Sequence, residues 1–301
     1  MPQKPNMANS YKLSQEQIDH FMRFGYVRVP DCFSKAKANE WAGDVWSRLG
    51  YSPTDKSTWA NEMTWMGDTK EEAVKTFAPK AWAAICELLG GEDRVAPESA
   101  TWNDALIVNL GSPESEGKWP NPTDLPGWHV DGDFFTHFLD SPEQALLVIP
   151  LFSDIQDRAG GTMVCPDALK FIAQHLYNHP EGVTPYMLPR GQQPDGNPME
   201  TSFYSDIVKQ CSEFHQMIGK VGDVILLHPL MVHSVSVNSL RHPRVITNPP
   251  AQLKQPFKFD RNDPSKYSLV EKKTLSLLGK ERLAGWKIKG QREFVTPERL
   301  K

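Results

Sequence analysis

A few widely spaced polar side chains in this 301-residue chain could bind one metal ion together. His129 and Asp131 form a His-x-Asp pair, and two further histidines, His228 and His233, follow about a hundred residues later. Two imidazoles and one carboxylate cover one face of a ferrous ion and leave the other face open. Alternation along a strand would place His129 and Asp131 on the same side. The pattern therefore predicts a ferrous centre with open coordination positions.

Two histidines compete for the third ligand position. The segment 224–232 reads as one buried strand interrupted by Pro229, and a proline there implies a bulge or an edge. Alternation cannot decide between His228 and His233, although spacing slightly favours His233, which ends the apolar run. His228 would then be a core histidine or one that donates to a carboxylate. A rival His-x-Glu at 179–181 lies in a Pro- and Gly-rich segment that would not hold two side chains parallel.

An arginine after these histidines could bind the carboxylate of a co-substrate through two parallel hydrogen bonds. Arg244 lies eleven residues after His233 and begins the apolar run 244–247, so its side chain can point inward. Arg241 is the competitor, but it lies in a polar turn. Iron ligands followed by such an arginine suggest an iron- and 2-oxoglutarate-dependent oxygenase.

The elements that must position these residues change character near Asn103. Before it, Ser14 and Gln17 form a capping box and several apolar stripes have helical spacing. After it, short apolar runs alternate with turn residues. This order predicts a mainly β fold, a sandwich or barrel with flanking helices. The predicted helices cover about 14–24, 34–49, 80–89 and 268–279, and the predicted strands cover 26–30, 105–108, 145–149, 162–164 and 224–232.

Composition narrows the class of protein. The net charge of -4 disfavours a general nucleic-acid binder, although residues 251–301 carry 13 Lys and Arg against 6 Asp and Glu. The four cysteines are far apart, which argues against a disulfide framework and indicates a reducing compartment. No apolar run is long enough for a membrane span, and no signal peptide is apparent. We therefore expect a cytoplasmic enzyme that acts on a small-molecule substrate. The sequence does not indicate its oligomeric state.

These motifs together resemble the phytanoyl-CoA dioxygenase family. The resemblance is carried by His129–Asp131, by Gly222–Ser234, and by Asn238 and Arg244, and it also includes the opening segment 13–27. It covers roughly residues 13–248. The distal block is the most specific part, because a Gly-Asp turn, two histidines and an arginine must all be correctly spaced.

The resemblance implies a fold and a domain plan. The fold is a double-stranded β-helix, a cupin-like jelly roll with flanking helices. The whole chain, 1–301, would be one oxygenase domain. Within it, 13–100 would be mainly helical, 101–250 would form the jelly-roll core, and 251–301 would be a basic extension with a helix.

The resemblance also implies a ligand set and an activity. His129, Asp131 and His233 would bind Fe(2+), so the later of the two histidines is chosen. Arg244 would bind the distal carboxylate of 2-oxoglutarate, and Thr162, which follows two glycines, would contact it too. The enzyme would use O2 to hydroxylate or otherwise oxidise an unactivated C–H bond, giving succinate and carbon dioxide. With Asp131 present no position remains for chloride, so halogenation is disfavoured.

Departures from the family pattern weaken any transfer of its substrate. Cys165–Ala168 stands where the family commonly has Pro-Gly-Ser-His, and Ser234 stands where it often has glycine. Two other hypotheses use the same residues: a zinc hydrolase with the same three ligands, and a non-catalytic jelly-roll binding protein. Trp102, Trp128, Phe134 and Phe135 could line a substrate pocket or be core aromatics. The long segments 111–127 and 178–203 could be lids or disordered loops.

Overall fold

The structure is a computed structural model that describes residues 11–192 and 202–297. Within these ranges, helices and short strands alternate along the chain. The α-helices are α1 (Gln15–Phe24), α2 (Lys35–Ala42), α3 (Val45–Leu49), α4 (Val74–Phe77), α5 (Pro79–Leu89), α6 (Ala168–Asn178), α7 (Ser202–Val208) and α8 (Leu269–Leu277). The strands are β1 (Tyr26–Val29), β2 (Met63–Trp65), β3 (Glu71–Ala73), β4 (Thr101–Asn103), β5 (Ile107–Asn109), β6 (Leu146–Pro150), β7 (Thr162–Cys165), β8 (His215–Gln216), β9 (Val224–Leu227), β10 (Val232–Val235), β11 (Arg244–Ile246) and β12 (Pro250–Ala251).

The strands form small antiparallel sheets. One has the order β1-β9-β6-β12, a second β10-β7-β8, a third β11-β5-β2, and β3 pairs with β4. Neighbours in each sheet are far apart in the sequence, so long-range pairing builds the fold. The predicted combination of antiparallel sheets and flanking helices is confirmed, although the helices contain more residues than these short strands. The double-stranded β-helix and the single-domain plan stay predictions.

The N-terminal helix is positioned as its sequence predicts. The Ser14 hydroxyl accepts from the Gln17 backbone N–H, and the Gln17 side chain accepts from the Ser14 N–H, which completes the capping box. Gly25 ends α1 with φ of 75°, and a Cβ there would come within 2.4 Å of Leu169. Only glycine allows this turn at such close packing. The chain then enters β1, which pairs with β9.

The predicted helix over 34–49 is wrong in its continuity. The chain forms α2 and α3 instead, with a break at Gly43 and Asp44. Glycine is a weak helix former, and it offers no side chain that would favour continuing the helix. The helical block also contains β2 and β3, whose partners β5 and β4 come later in the chain. These two strands depend on distant partners, which a local pattern does not reveal.

The predicted single strand over 224–232 is also wrong. Residues 224–227 form β9 and residues 232–235 form β10, which belong to different sheets. Between them His228 donates its backbone N–H to Gly25, and Met231 donates to the His228 carbonyl. Pro229 has no N–H for a ladder and ends the pairing. The change of sheet separates the two candidate histidines in space.

The basic C-terminal part is packed into the protein rather than being only a solvated surface. Helix α8 contacts α1, α5 and α6. The buried Lys273 donates from Nζ to the carbonyls of Met22 and Arg23 at 2.9 Å, at the C-terminal end of α1. A cation there interacts favourably with the helix dipole. In the part of the chain that the structure describes, no helix combines the length and the apolarity that crossing a bilayer requires.

A buried carboxylate anchors α8 to the rest of the molecule. Glu271 is fully buried, and its oxygens accept from Arg94 Nη2 at 2.7 Å and Arg261 Nη2 at 3.3 Å. They also accept from the backbone N–H groups of Lys258 and Ser268. Burial raises the pKa of Glu271, but the bonds from Arg94 and the two backbone groups outweigh burial and lower it. The carboxylate is therefore charged and fully paired at neutral pH.

Replacing this carboxylate should destabilise the fold in a pH-dependent way. Glu271→Gln leaves Arg94 and Arg261 without their anion, so we expect a loss of about 3 kcal/mol at pH 7. A lowered folded pKa gives stability that is present above the unfolded pKa of about 4.3 and is lost as the pH falls through the folded value. The difference between wild type and variant should therefore shrink in acid. Chemical denaturation from pH 7 to pH 3 measures it.

The matched control is Glu40→Gln, the same substitution at an exposed site. Glu40 is 59% exposed and its ion pair with Lys37 lies at the surface. Exposed pairs contribute little, so this variant should stay within about 0.5 kcal/mol of wild type at every pH. Equal losses in both variants would contradict the anchoring role of Glu271.

Candidate metal centre

Three of the predicted side chains meet at one point. Asp131 Oδ1 lies 3.3 Å from His129 Nε2 and 3.4 Å from His233 Nε2. The two imidazole ring centres are 4.3 Å apart. Metal-ligating atoms of all three residues lie within 4.8 Å of one another, so a single ion can touch each of them.

The backbone holds the two histidines side by side. His129 donates its N–H to the His233 carbonyl at 3.0 Å, and His233 donates back at 2.9 Å. This pair is an isolated antiparallel bridge. A mutual hydrogen-bonded pair of this kind brings two distant chain segments into a fixed register. The close approach of the two imidazoles therefore follows from main-chain pairing and does not depend on long flexible side chains.

The predicted strand through His129 and Asp131 is wrong, because only the isolated bridge forms there. Gly127 and Gly132 flank the segment with φ of 71° and 112°. These positive values bend the chain on both sides and prevent a regular ladder. The two side chains nevertheless converge on the same point, as the pair spacing predicted.

Backbone carbonyls set the tautomers of both imidazoles. His129 Nδ1 lies 2.7 Å from the Gly127 carbonyl, and His233 Nδ1 lies 3.0 Å from the Met231 carbonyl. A carbonyl only accepts, so each Nδ1 must carry a proton. In the neutral rings both Nε2 lone pairs then face Asp131, whose oxygens also carry lone pairs. A cation between them removes this repulsion, which is how metal-binding histidines are commonly oriented.

The electrostatics of Asp131 also suit a metal ligand. Burial raises the pKa of Asp131, but His233 and His129 outweigh burial and hold the pKa well below its usual range. Burial lowers the pKa of His129, and the hydrogen bond and charge of Asp131 outweigh that effect and raise it. Asp131 is therefore an anion at neutral pH. It can bind a metal ion, or it can form an ion pair with a protonated neighbouring imidazole.

The other histidine candidates are committed elsewhere. His228 is fully buried, its Nε2 donates to Thr274 Oγ1 at 2.9 Å, and its Nδ1 accepts from the Leu230 N–H at 3.2 Å. Neither ring nitrogen is left for a metal, and burial lowers the pKa of His228 to about 3. His179 ends α6 with its Nδ1 at 2.8 Å from the His175 carbonyl. It belongs to no metal-ligand cluster among the described residues.

Arg244 is a buried cation with incomplete pairing. It is 2% exposed, and its Nε donates to the Gly160 carbonyl at 2.8 Å, while Nη1 has no partner among the described residues. No carboxylate within residues 11–192 and 202–297 forms an ion pair with it. Burial lowers the pKa of Arg244 to about 10, so the guanidinium is still charged at neutral pH. Burying an unpaired charge costs several kcal/mol, which favours an anionic ligand here.

A second donor without an acceptor lies beside Arg244. Asn109 faces Arg244 across the β5–β11 pair, and its Nδ2 is buried and unpartnered. Directly opposed side chains on an antiparallel pair are about 5 Å apart. Gly160 makes room for Asn109, since a Cβ there would lie 2.8 Å from Asn109 Nδ2. The two groups can together donate hydrogen bonds to one carboxylate.

The remaining predicted co-substrate residues occupy different positions. Thr162 lies on β7, two residues after Gly160, and is 8% exposed. Arg241 pairs with Glu116 at 3.6 Å and its guanidinium lies over the Trp59 ring. Arg241 Nε and Arg244 Nη1 both lack a hydrogen-bond partner among the described residues, but Arg241 has a carboxylate partner there and Arg244 has none.

A narrow cleft opens beside Asp131. Its lining residues are mostly aromatic or aliphatic: Asp131, Phe135, His137, Phe138, Leu139, Ser141, Gln144, Pro229, Leu230 and Phe257. Of the four aromatics suggested for the pocket, Phe135 lies in this lining. Trp102 and Trp128 belong to the hydrophobic core, and Phe134 stacks on Phe294. Burial lowers the pKa of His137 to about 4, so the cleft presents a neutral imidazole.

Some contributors were missed by sequence reasoning. The carbonyls of Gly127 and Met231 orient the imidazoles, and backbone groups carry no residue-type signal. Asn109 did carry a residue-type signal, because it is a polar residue at the end of an otherwise apolar strand and is fully buried. A buried amide in such a strand indicates a polar partner or a ligand.

Comparison with known proteins identifies no family for this chain. No family model matches, and no curated protein matches. Solved structures that are similar include the non-heme alpha-ketoglutarate-dependent carbocyclase SnoK from nogalamycin biosynthesis, at 15% identity and a TM-score of 0.46, covering 97% of this chain and all of that one.

Two further structures have comparable scores. EctD from S. alaskensis with bound Fe has 19% identity and a TM-score of 0.46, covering 84% of this chain and 83% of that one. A putative oxidoreductase from Salmonella typhimurium LT2 has 12% identity and a TM-score of 0.48, covering 83% and 72%. Scores this low support no assignment of a reaction or substrate to this chain.

Removing one side chain of the cluster should remove metal binding. We expect His233→Ala to lower the affinity for Fe(2+) at least about 100-fold, because two remaining ligands hold the ion poorly. Anaerobic equilibrium dialysis followed by iron analysis measures the bound fraction.

His228→Asn is the matched control. It should bind one Fe(2+) as wild type does, while losing about 1–3 kcal/mol of stability because buried partners of His228 lose a hydrogen bond. Iron retained by His233→Ala, or lost by the folded His228→Asn protein, would contradict the ligand assignment.

Proposed function

We propose that this chain is an Fe(2+)- and 2-oxoglutarate-dependent oxygenase. It would use O2 to oxidise an unactivated C–H bond of a small organic molecule and release succinate and carbon dioxide. The observation that carries the proposal is the convergence of His129, Asp131 and His233 within reach of one ion. In this assignment these three residues bind iron, and Arg244 and Thr162 bind 2-oxoglutarate.

The donor set fits ferrous iron. Two imidazole nitrogens and one carboxylate oxygen are the ligands of iron oxygenases that leave coordination positions free for substrates. The carbonyls of Gly127 and Met231 hold the Nδ1 protons, so both Nε2 atoms are available without any tautomer change. The two imidazoles therefore need no rearrangement of their ring protons before they bind the ion.

The charge of the site fits a dicarboxylate. A divalent ion, the Asp131 carboxylate and the Arg244 guanidinium leave two positive charges in excess. 2-Oxoglutarate carries two negative charges and would neutralise them. Arg244 Nη1 and Asn109 Nδ2 are two buried donors that lack an acceptor among the described residues, and the distal carboxylate would supply one to both. A zinc hydrolase would use the same three ligands but leave these donors unpaired.

Strand β7 connects the two ends of the proposed co-substrate site. Val164 lies opposite His233, and Thr162 lies opposite Val235 on the same strand pair. Gly160, which accepts from Arg244, comes four residues before Val164. The backbone positions of Gly160 and Val164 are at most about 14 Å apart. The side chains of Arg244 and His233 reach into the interval from its two ends. A five-carbon dicarboxylate can occupy the interval beside Thr162.

The side chains divide the work of the reaction. O2 would be the oxidant, and with iron bound it would take two electrons from the decarboxylation of 2-oxoglutarate to succinate and two from the substrate C–H bond. His129, Asp131 and His233 hold the ion with one face open. Arg244 and Asn109 hold and orient the co-substrate by hydrogen bonds, and apolar lining of the cleft beside Asp131 excludes water.

The cleft also points to the kind of substrate group that is oxidised. Its polar side chains are engaged: His137 with the Gly132 carbonyl, Ser141 with the Phe138 N–H, and Gln144 with the Leu146 carbonyl. The rest of the lining is aromatic or aliphatic. The cleft has a volume of about 10 Å³, the size of one water molecule, so its lining residues must move apart before a hydrocarbon portion of a small molecule lies beside the iron.

The fold belongs to the same proposal. The antiparallel sheets would form a double-stranded β-helix, with the His129–His233 bridge joining neighbouring turns at its open end. Membership of the phytanoyl-CoA dioxygenase family and a cytoplasmic location are part of this proposal, supported by the motif spacing and by the free cysteines.

The direct test is co-substrate turnover by the metal-loaded protein. We expect protein loaded with Fe(2+) to convert 2-oxoglutarate to succinate in the presence of O2, with slow uncoupled turnover before a substrate is added. Zinc-loaded protein should release none. The absence of iron-dependent succinate, measured by mass spectrometry against a no-protein blank, would exclude the oxygenase. Hydrolysis of ester or amide libraries by the zinc form would support the hydrolase instead.

A substitution at Arg244 tests the carboxylate site. Arg244→Lys keeps the charge but loses the planar fork of donors, so affinity for 2-oxoglutarate should fall about 10- to 100-fold. Anaerobic dialysis of labelled 2-oxoglutarate against the iron-loaded protein measures the affinity without turnover.

Arg241→Lys is the control at the neighbouring arginine. Since Arg241 contacts Glu116 and Trp59, its replacement should leave the affinity for 2-oxoglutarate within about 2-fold of wild type. An unchanged affinity in Arg244→Lys, or a greater loss in Arg241→Lys, would remove Arg244 from the site.

A further inference from the structure

A second cluster of metal-ligating side chains lies apart from the His-Asp-His cluster. It consists of Cys165, Asp167 and Cys211, whose ligand atoms all lie within 4.8 Å of one another. Cys165 Sγ is 3.2 Å from Asp167 Oδ1. Cys165 is buried and Cys211 is partly exposed, so the cluster opens towards solvent at Cys211. Neither cysteine is part of a disulfide.

The cluster is brought together by two chain segments. Cys165 is the last residue of β7. Asp167 follows two residues later and lies immediately before α6. Cys211 follows α7, and the next two residues, Ser212 and Glu213, donate their backbone N–H groups to Asp167 Oδ2 at 2.9 and 3.3 Å. One oxygen of Asp167 thus fixes the Cys211 segment, and the other points at the Cys165 sulfur. This leaves Oδ1 oriented towards the Cys165 thiol.

The spacing suits a tetrahedral ion. Zinc–sulfur bonds of about 2.3 Å and zinc–oxygen bonds of about 2.0 Å place two sulfurs about 3.8 Å apart, and a sulfur and an oxygen about 3.5 Å apart. The Cys165–Asp167 separation is 3.2 Å and the other separations are at most 4.8 Å, so shifts of no more than about 1 Å complete the site. Thiolate sulfur selects zinc over the harder ions calcium and magnesium.

We propose that Cys165, Asp167 and Cys211 bind a zinc ion, with a water molecule in the fourth position. On binding, each thiol gives up its proton to solvent, and the hydrogen bonds from Cys165 to Asp167 and from Cys211 to the Ile207 carbonyl are replaced by bonds to the metal. No oxidation or reduction takes place. This site does not depend on the oxygenase function.

The ion would fasten the segment after α7 to the strand that supports the other cluster. Cys165 lies opposite Val232 in the β7–β10 pair, next to the Val164–His233 pair. A zinc ion here would restrain β7 at the end opposite to Gly160. Its expected effect is structural, through the position of the 211–213 segment.

Cobalt reports on this site selectively. Co(2+) replaces zinc in tetrahedral sites, and its bonds to thiolate give a near-ultraviolet charge-transfer band. The His-Asp-His cluster has no sulfur, so Co(2+) bound there contributes nothing to that band. We expect one equivalent of Co(2+) to produce the band in the reduced full-length protein, and Zn(2+) to abolish it.

Variants assign the band to residues. Cys211→Ser and Asp167→Asn should weaken Zn(2+) binding at this site at least about 100-fold, and Cys165→Ser should abolish the band. Cys86→Ser is the matched control, because Cys86 is also partly exposed but lies outside the cluster. It should keep the band unchanged. If Cys165→Ser fails to fold, the partly exposed Cys211 carries the test.

Two results would overturn the proposal. The first is no band in reduced protein, or a band that persists in folded Cys211→Ser. The second is a Cys165–Cys211 disulfide, found by mass spectrometry after treatment with oxidised glutathione, in protein that shows no band when reduced. That second result would make the pair a thiol couple rather than a metal site.

Discussion

The mutual backbone hydrogen bonds of His129 and His233 are the constraint on which the rest of the site depends. These two residues are distant in sequence. The bridge between them is isolated, because the chain turns on both sides of His129 and again just before the strand that contains His233. The bridge places their rings 4.3 Å apart with Asp131 between them. Because carbonyls fix both Nδ1 protons, three electron-rich atoms face one another. That arrangement is unfavourable without a proton or a cation, so the fold itself favours metal binding.

Strand β7 lies next to His233, to Arg244 and to the thiol cluster. Val164 on β7 pairs with His233, the Gly160 carbonyl before it receives Arg244, and Cys165 at its end belongs to the thiol cluster. Gly160, shortly before β7, leaves space that a larger residue would fill, and this space admits Asn109. A short, fully buried strand thus sets the distances between a cationic end and a metal-binding end.

Sequence reasoning recovered the residue types of the site better than the path of the chain. The His-x-Asp spacing and an arginine at the start of a strand were readable because they are local. Pro229 indicated a break in the strand. Its consequence, a change of sheet between His228 and His233, depends on which distant strands pair. Likewise, β2 and β3 exist because β5 and β4 bind them. The Cys165–Cys211 contact could not be predicted for the same reason, since the two cysteines are 46 residues apart in the sequence.

The central claim is that His129, Asp131 and His233 hold one divalent iron ion. Crystals grown anaerobically with Fe(2+) and measured at the iron absorption edge test it directly. The account predicts a single strong anomalous peak about 2.0–2.2 Å from two imidazole Nε2 atoms and a carboxylate oxygen of Asp131. No peak between these three side chains, or a dominant iron peak elsewhere in the molecule, would contradict it.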